Sequence, residues 1–173
     1  GRHTSASLMA ALRNHGPRAG GDLAWNPGRG WLMDAPCVHA SLGPLRPSQT
    51  TASLVAHLRA DGLTAWATGS SAPCTGLFKP LYLGAGALPD MGDAPQATYT
   101  PDALWWQHER LHRAVLRDYA TRLPVYRAER DALEADFLAR MDKARDADLT
   151  AVIAACWRDA EDAEARWASA HVP

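Results

Sequence analysis

Two histidines four positions apart, with a glutamate between them, form the sharpest chemical pattern in the sequence. His108, Glu109 and His112 match HExxH, in which two imidazoles one helical turn apart hold a zinc ion and the glutamate activates a bound water. Glu134 has the best spacing for a third ligand. A structural role also fits, because His108 shares a helical face with Leu111, leaving His112 and Glu109 at the surface. Short patterns of this kind arise by chance, so we prefer the structural interpretation and predict no metal site.

The three cysteines provide the next chemical candidates. Cys37 and His39 lie two apart on a predicted strand, so their side chains share a face. They could form a thiolate–imidazole pair or supply two metal ligands, although a third ligand is not evident. Cys74 is predicted to be a packed turn residue rather than a reactive thiol, and Cys156 to be a core residue. The odd count and the absence of CxxC spacing exclude a disulfide framework.

Composition excludes several classes of function. The 173 residues carry 18 basic and 19 acidic side chains, which argues against nucleic acid as a partner. No apolar run reaches the roughly 20 residues of a membrane span, so no membrane partner is predicted. The first residues lack the apolar segment of a signal peptide, which favours a cytoplasmic location. Neither a GxSxG or SxxK nucleophile motif nor a phosphate-binding glycine loop is present, and no cofactor is predicted.

Two halves of different composition must position these residues. All 13 glycines lie at or before Gly92, and glycine and proline punctuate short strands. We therefore predict an α+β fold class, with a strand-rich part over residues 1–100 and a helical part of the same domain over residues 101–173. In the first part the patterns predict a helix starting at Thr4 or Ser5 and a hairpin turn at Asp61-Gly62. Strands are predicted over residues 37–40, 50–58, 63–68 and 77–83.

The second part is predicted to hold three long helices. Thr100 is a capping hydroxyl ahead of Pro101, which indicates a helix start. Pro124 is expected to separate the first helix from the second, and the third is expected to begin near Asp148. Apolar residues recur at helical spacing along all three.

Several segments, in order, resemble the C-terminal part of the secernin family, which are dipeptidase-like N-terminal nucleophile hydrolases. The main segments are residues 37–40 (CVHA), 46–55 (RPSQTTASLV), 66–74 (WATGSSAPC) and 78–80 (FKP). Two further segments that fit the pattern are residues 12–16 (LRNHG) and 105–113 (WWQHERLHR). The resemblance covers about residues 8–117, and the ordered series is more specific than any one segment.

The resemblance implies that the chain is the C-terminal part of an αββα sandwich, with antiparallel strands followed by three long helices. The family hydrolyses small peptide or amide bonds with an N-terminal cysteine, whose own α-amino group serves as base. That cysteine is expected upstream, because Gly1 cannot replace it and Cys37 and Cys74 lie in internal motifs. The chain alone is therefore expected to be inactive and to contain no catalytic residue.

The resemblance also suggests which residues meet the substrate. His39, Arg46, Ser48 and Thr50 are expected to line or support the cleft, and Arg46 could bind a peptide carboxylate through a bidentate pair. The expected partners are a small peptide or amide substrate and the missing N-terminal half or a sibling subunit. The sequence leaves a homo-oligomer open.

Two other functions are consistent with the sequence. A zinc metallopeptidase would use the HExxH histidines at 108–112 with Glu134, and Glu109 as the base. A non-enzymatic interaction module would present an apolar stripe of the helical part to a partner. Burial of Tyr126, Phe137 and Trp167 would count against that module.

Overall fold

The computed structural model describes residues 3–17, 19, 25–29, 35–41, 45–59, 62–83 and 89–172. These residues form one three-stranded sheet and four α-helices, which confirms the predicted α+β class. In chain order the elements are α1 (Ser5–Leu12), β1 (Leu54–Arg59), β2 (Gly62–Ala67), β3 (Lys79–Tyr82), α2 (Leu104–Leu116), α3 (Tyr119–Lys143) and α4 (Leu149–His171). Short 3-10 turns lie at Pro27–Arg29 and Asp146–Asp148.

The strands pair in the order β1-β2-β3, each antiparallel to the next. Arg59 pairs with Gly62, so β1 and β2 form the predicted hairpin, while Asp61 lies outside the described residues. Strand β2 matches its prediction to within one residue, whereas β1 and β3 begin later than predicted.

The strand predicted over residues 37–40 is wrong. The Cys37 N–H donates to the Asn14 carbonyl at 3.1 Å, and the Val38 carbonyl accepts from the Thr50 N–H at 3.0 Å. The Val38 N–H donates to the Thr50 hydroxyl. The N–H groups of Cys37 and Val38 are therefore bonded to a loop carbonyl and a side-chain hydroxyl, and not to a neighbouring strand.

Helix α1 begins where the sequence predicts. Thr4 is its N-cap, and the Thr4 and Ser7 side chains each accept the other's backbone N–H, at 3.1 Å and 2.9 Å. This reciprocal capping box satisfies two amides of the first turn. After the helix, Gly16 adopts φ +86°, a conformation that favours glycine. This turn brings the loop after α1 against the segment that begins at residue 35.

The helical part starts and breaks at residues other than those predicted. The N-cap of α2 is Ala103, not Thr100, whose carbonyl accepts the Ala103 N–H at 3.3 Å. Pro124 lies inside α3 instead of separating two helices, and the break falls at residues 117–118. A proline there costs α3 one backbone hydrogen bond. Burial of the neighbouring Tyr126 offsets that cost.

Helix α4 closes the core against α2, α3 and β3. Tyr126 of α3 stacks on Trp167 of α4 with ring centroids 4.5 Å apart. Tyr126, Phe137 and Trp167 are only 2 %, 0 % and 4 % exposed, which counts against an interaction module that presents them. None of the helices in the described part of the chain combines the length and the apolar composition that a bilayer crossing requires.

One face of β1 is open in the described part of the chain. Val55 is buried in the same apolar core as Met9 of α1. Leu54 and Leu58 point to the opposite face and are 59 % and 74 % exposed. The described residues leave the Leu54 side of the strand uncovered.

Candidate functional site

Two thiols and two imidazoles converge in loops outside the helices and strands. They belong to His15, Cys37, His39 and Cys74, whose ligand atoms all lie within 4.8 Å of one another. His39 Nε2 lies 3.1 Å from His15 Nε2, 3.4 Å from Cys37 Sγ and 3.5 Å from Cys74 Sγ. His15 is half-buried and the other three are buried. Within the described residues no other group of three or more such side chains occurs. We call these four residues the His–Cys cluster.

Loop contacts fix the first half of the His–Cys cluster. The Asn14 side chain accepts from the Gly16 N–H at 2.6 Å, and the Asn14 carbonyl accepts from the Cys37 N–H at 3.1 Å. The His15 ring meets Trp25 edge-on, with centroids 5.3 Å apart. These contacts hold His15 beside Cys37 although the two are distant in sequence.

Two arginines fix the turn that carries Cys74. Arg130 donates to the Cys74 carbonyl, and Arg13 donates to the Pro73 carbonyl at 2.7 Å. Arg13 also forms a two-point ion pair with Glu134, one of whose N···O distances is 2.9 Å. A guanidinium presents several donors in one plane, so the two side chains can hold the turn in place of a strand or helix.

The surroundings distinguish the two thiols. Burial opposes ionisation of Cys74, but hydrogen bonds from Cys37 and the two histidines outweigh it and hold the pKa of the Cys74 thiol well below its ordinary value. The hydrogen bond to Cys74, followed by burial, raises the pKa of the Cys37 thiol. The hydrogen bond between the two sulfurs therefore favours the charged form of Cys74 over that of Cys37.

Polar contacts continue from the His–Cys cluster to α4. The His39 ring stacks on that of His112, with centroids 5.1 Å apart. Thr75 Oγ1 lies 3.1 Å from His112 Nδ1 and 3.5 Å from His108 Nε2. His108 Nδ1 is 3.1 Å from Glu164 Oε2 in α4. Burial, followed by the charge of His39, lowers the pKa of His112 to about 3, so this ring is neutral at neutral pH.

The HExxH residues do not gather around a common point in the structure. Glu109 pairs with Arg113 at 2.7 Å. Glu134, the expected third ligand, is engaged by Arg13 and by the Phe78 N–H. The surface position predicted for His112 and Glu109 is wrong, because both are buried. The two histidines instead connect α2 to the turn of Cys74 and to α4.

A cleft of about 390 Å³ opens beside the His–Cys cluster. His15 and Cys74 form part of its wall, so two of the four ligand-type side chains border it. Trp25 and Tyr119 supply aromatic surfaces, and their rings meet edge-on with centroids 5.5 Å apart. We call this space the arginine cleft because three arginines also line it.

The three arginines of the cleft differ in their partners. Arg13 is paired with Glu134, and Arg130 with Asp131. Arg127 is exposed and makes no ion pair with any of the residues that the structure describes. Positive charge beside aromatic walls suits a small anionic ligand.

The four residues predicted to meet a substrate do not come together at this cleft. His39 belongs to the adjoining cluster. Arg46 is buried and donates to the Pro27 carbonyl at 3.1 Å, which suits a structural contact better than a peptide carboxylate. Ser48 is exposed, and the Thr50 hydroxyl donates to the Pro36 carbonyl. None of the four lines the arginine cleft.

The sequence predicts that Cys37 and His39 lie together but does not predict that His15 and Cys74 join them. The Cys-x-His spacing of Cys37 and His39 was the available signal. His15 lies in the loop after α1 and Cys74 in a turn after β2, at no recognised motif spacing from that pair. Their approach depends on loop hydrogen bonds, which spacing does not report.

No family model, curated protein or solved structure matches this chain. The resemblance to secernins therefore stays a prediction.

Proposed function

We propose that this chain is the C-terminal part of a secernin-like cysteine amidohydrolase, and that the arginine cleft binds the carboxylate of a small peptide or amide substrate. The arginine cleft itself is the observation that carries this proposal. Its volume of about 390 Å³ falls within the range of pockets that enclose small ligands. A dipeptide presents a free carboxylate, and guanidinium groups bind carboxylates with matched geometry.

Arg127 is the arginine best placed to meet that carboxylate. Its guanidinium is solvent-accessible, so an incoming anion would replace water and would not have to displace an ion-pair partner among the described residues. Arg13 and Arg130 stay bound to the turn of Cys74 and to their carboxylate partners, and form the cleft wall beside Arg127. Trp25 and Tyr119 would pack against the apolar part of the substrate.

The open face of β1 also supports the proposal. An αββα sandwich places a second sheet on the face that the helices leave uncovered. In the described residues that face carries the exposed Leu54 and Leu58. The N-terminal half of the enzyme or a sibling subunit would supply the covering sheet.

We also propose a cytoplasmic location. Cys37, Cys74 and Cys156 are all free and buried. Free thiols of this kind are typical of proteins kept in a reducing compartment.

Calorimetric titration of the full chain with a dipeptide and with the C-terminal amide of the same dipeptide tests the cleft. The two ligands differ only in the charge that Arg127 is proposed to meet. We expect the acid to bind more tightly, and Arg127→Gln to weaken its binding about tenfold while leaving the amide unchanged.

Arg117→Gln is the matched control, because Arg117 is exposed and lies outside the cleft. This variant is expected to bind the acid as the unaltered chain does. Equal affinity for acid and amide, or equal losses in both variants, would overturn the assignment of the cleft.

A further inference from the structure

The four side chains of the His–Cys cluster fit a tetrahedral metal site. We propose that His15, Cys37, His39 and Cys74 bind one zinc ion. The proposal rests on the geometry and chemistry of these side chains, and it holds whether or not the arginine cleft binds a peptide.

The distances within the cluster match the edges of a zinc tetrahedron. Bonds of about 2.3 Å to sulfur and about 2.0 Å to nitrogen place two nitrogens roughly 3.3 Å apart, and a sulfur and a nitrogen roughly 3.6 Å apart. The separation of His15 Nε2 and His39 Nε2 is 3.1 Å. His39 Nε2 lies 3.4 Å and 3.5 Å from the two sulfurs. These three separations are within about 0.2 Å of the ideal edges, and all four ligand atoms lie within 4.8 Å of one another.

Hydrogen bonds alone do not satisfy this arrangement. A ring nitrogen carries either one hydrogen or one acceptor lone pair, so His39 Nε2 can serve one neighbour well. Three polar atoms nevertheless approach it, from His15, Cys37 and Cys74. A cation at the centre of the four atoms would satisfy all of them at once.

The ligand types select the ion. Two thiolates and two imidazoles in a tetrahedral set are typical of zinc, whereas magnesium and calcium prefer oxygen ligands. Binding releases the thiol protons of the two cysteines to solvent and leaves two thiolates that neutralise the charge of Zn²⁺. A centre without net charge has the smallest desolvation cost at this buried position.

The surroundings orient the ligands and leave a route for the ion. The Cys37 N–H is held by Asn14, and the Cys74 carbonyl by Arg130. These backbone contacts fix the two segments that carry the ligand sulfurs. His15 and Cys74 also border the arginine cleft, which gives the ion a path from solvent.

Metal content of the full chain, purified under reducing conditions in the presence of zinc, tests the proposal. We expect one equivalent of zinc by mass spectrometry of the digested protein. Replacement by Co²⁺ should produce the absorption bands of a tetrahedral thiolate site. Cys37→Ser and Cys74→Ser should each weaken metal binding by more than the 10–100-fold that follows loss of an outer contact.

Two further variants locate the site. Cys156→Ser alters a buried cysteine outside the cluster and is expected to retain one equivalent of zinc. His108→Ala is also expected to retain it, because His108 is not among the four ligands. Far-ultraviolet circular dichroism of every variant shows whether the fold survives.

Three results would overturn the proposal. The first is a folded, reduced chain that binds no zinc or cobalt. The second is zinc that persists in folded Cys37→Ser and Cys74→Ser but is lost in His108→Ala, which would place the metal at HExxH. The third is a Cys37–Cys74 disulfide that forms in preference to a zinc complex when zinc is supplied to the reduced protein.

Discussion

Glu134 is a buried carboxylate that serves two partners at once. It accepts from the Arg13 guanidinium and from the Phe78 N–H, the latter at 2.8 Å. We expect Glu134→Gln to lower the free energy of unfolding by about 2–4 kcal/mol, because the guanidinium would lose its counter-charge in a partly buried position. Urea unfolding followed by circular dichroism measures the change.

Asp136→Asn provides the comparison for that measurement. Asp136 lies on the same helix and pairs with Arg140 across one turn, but its side chain is 46 % exposed. Exposed pairs of this kind contribute less than about 1 kcal/mol. If the two variants lose equal stability, the buried pair does not stabilise the fold as argued.

Secondary-structure elements are joined through Glu164 of α4. Its carboxylate lies 3.1 Å from His108 of α2 and 3.7 Å from Lys79 of β3. Burial disfavours the charged carboxylate, but the charges of His108 and Lys79 outweigh it and lower the pKa of Glu164 from 4.5 to about 2. The three elements are therefore held by one ionised side chain.

This contact predicts a pH dependence. A carboxylate whose pKa is lower in the folded state stabilises the fold above the unfolded pKa, and the stabilisation is lost as pH falls through the folded pKa. We expect Glu164→Gln to cost on the order of 2–3 kcal/mol at pH 6. The difference from the unaltered chain should shrink steadily between about pH 5 and pH 2, measured by urea unfolding at each pH.

Glu161, on the same helix, provides a control because its pKa is shifted in the opposite direction. Burial raises the pKa of Glu161, so its charged form is disfavoured in the fold. Glu161→Gln is therefore expected to leave stability unchanged or slightly higher at pH 6. If Glu161→Gln lowers the free energy of unfolding at pH 6 as much as Glu164→Gln does, the charge of Glu164 is not the cause of the stabilisation.

Local signals predicted some elements and not others. The helix start at Thr4 and the hairpin between β1 and β2 depend on neighbouring residues, and both predictions are confirmed. Pro124 was expected to end a helix because proline disrupts helical hydrogen bonding. Burial of Tyr126 depends on contacts with distant parts of the chain, which the sequence around Pro124 does not reveal. Residues 37–40 were predicted to form a strand, but the backbone groups of Cys37 and Val38 bond to Asn14 and Thr50 instead of to a strand ladder.

At the level of the whole molecule, the chain is expected to lack peptidase activity on its own. Hydrolysis by the family's mechanism needs a cysteine with a free α-amino group. Cys37, Cys74 and Cys156 each have a peptide bond on their amino side. Incubation of the pure chain with dipeptides, followed by amino-acid analysis, should show no release above a protein-free blank. Release that disappears in Cys74→Ser would instead identify an internal nucleophile.

The candidate sites show where prediction from sequence reaches its limit. Fold class followed from the uneven distribution of glycine and from helical periodicity, which are properties of long segments. The His–Cys cluster requires that loops near residues 15, 37 and 74 meet. Hydrogen bonds of Asn14, Arg13 and Arg130 bring these loops together. Their partners are backbone groups, which no rule of residue spacing identifies.

The order of the His–Cys cluster along the chain has a consequence for synthesis. Its last member is Cys74, whereas the helices that complete the core begin at Leu104 and end at His171. Ribosomes add about 5–20 residues per second, so roughly 5–20 s separate the translation of Cys74 from that of the end of α4. Through that interval the two thiols of the His–Cys cluster have been synthesised but α2, α3 and α4 are not yet complete. Whatever reaches them first, an ion or an oxidant, meets them before the fold is complete.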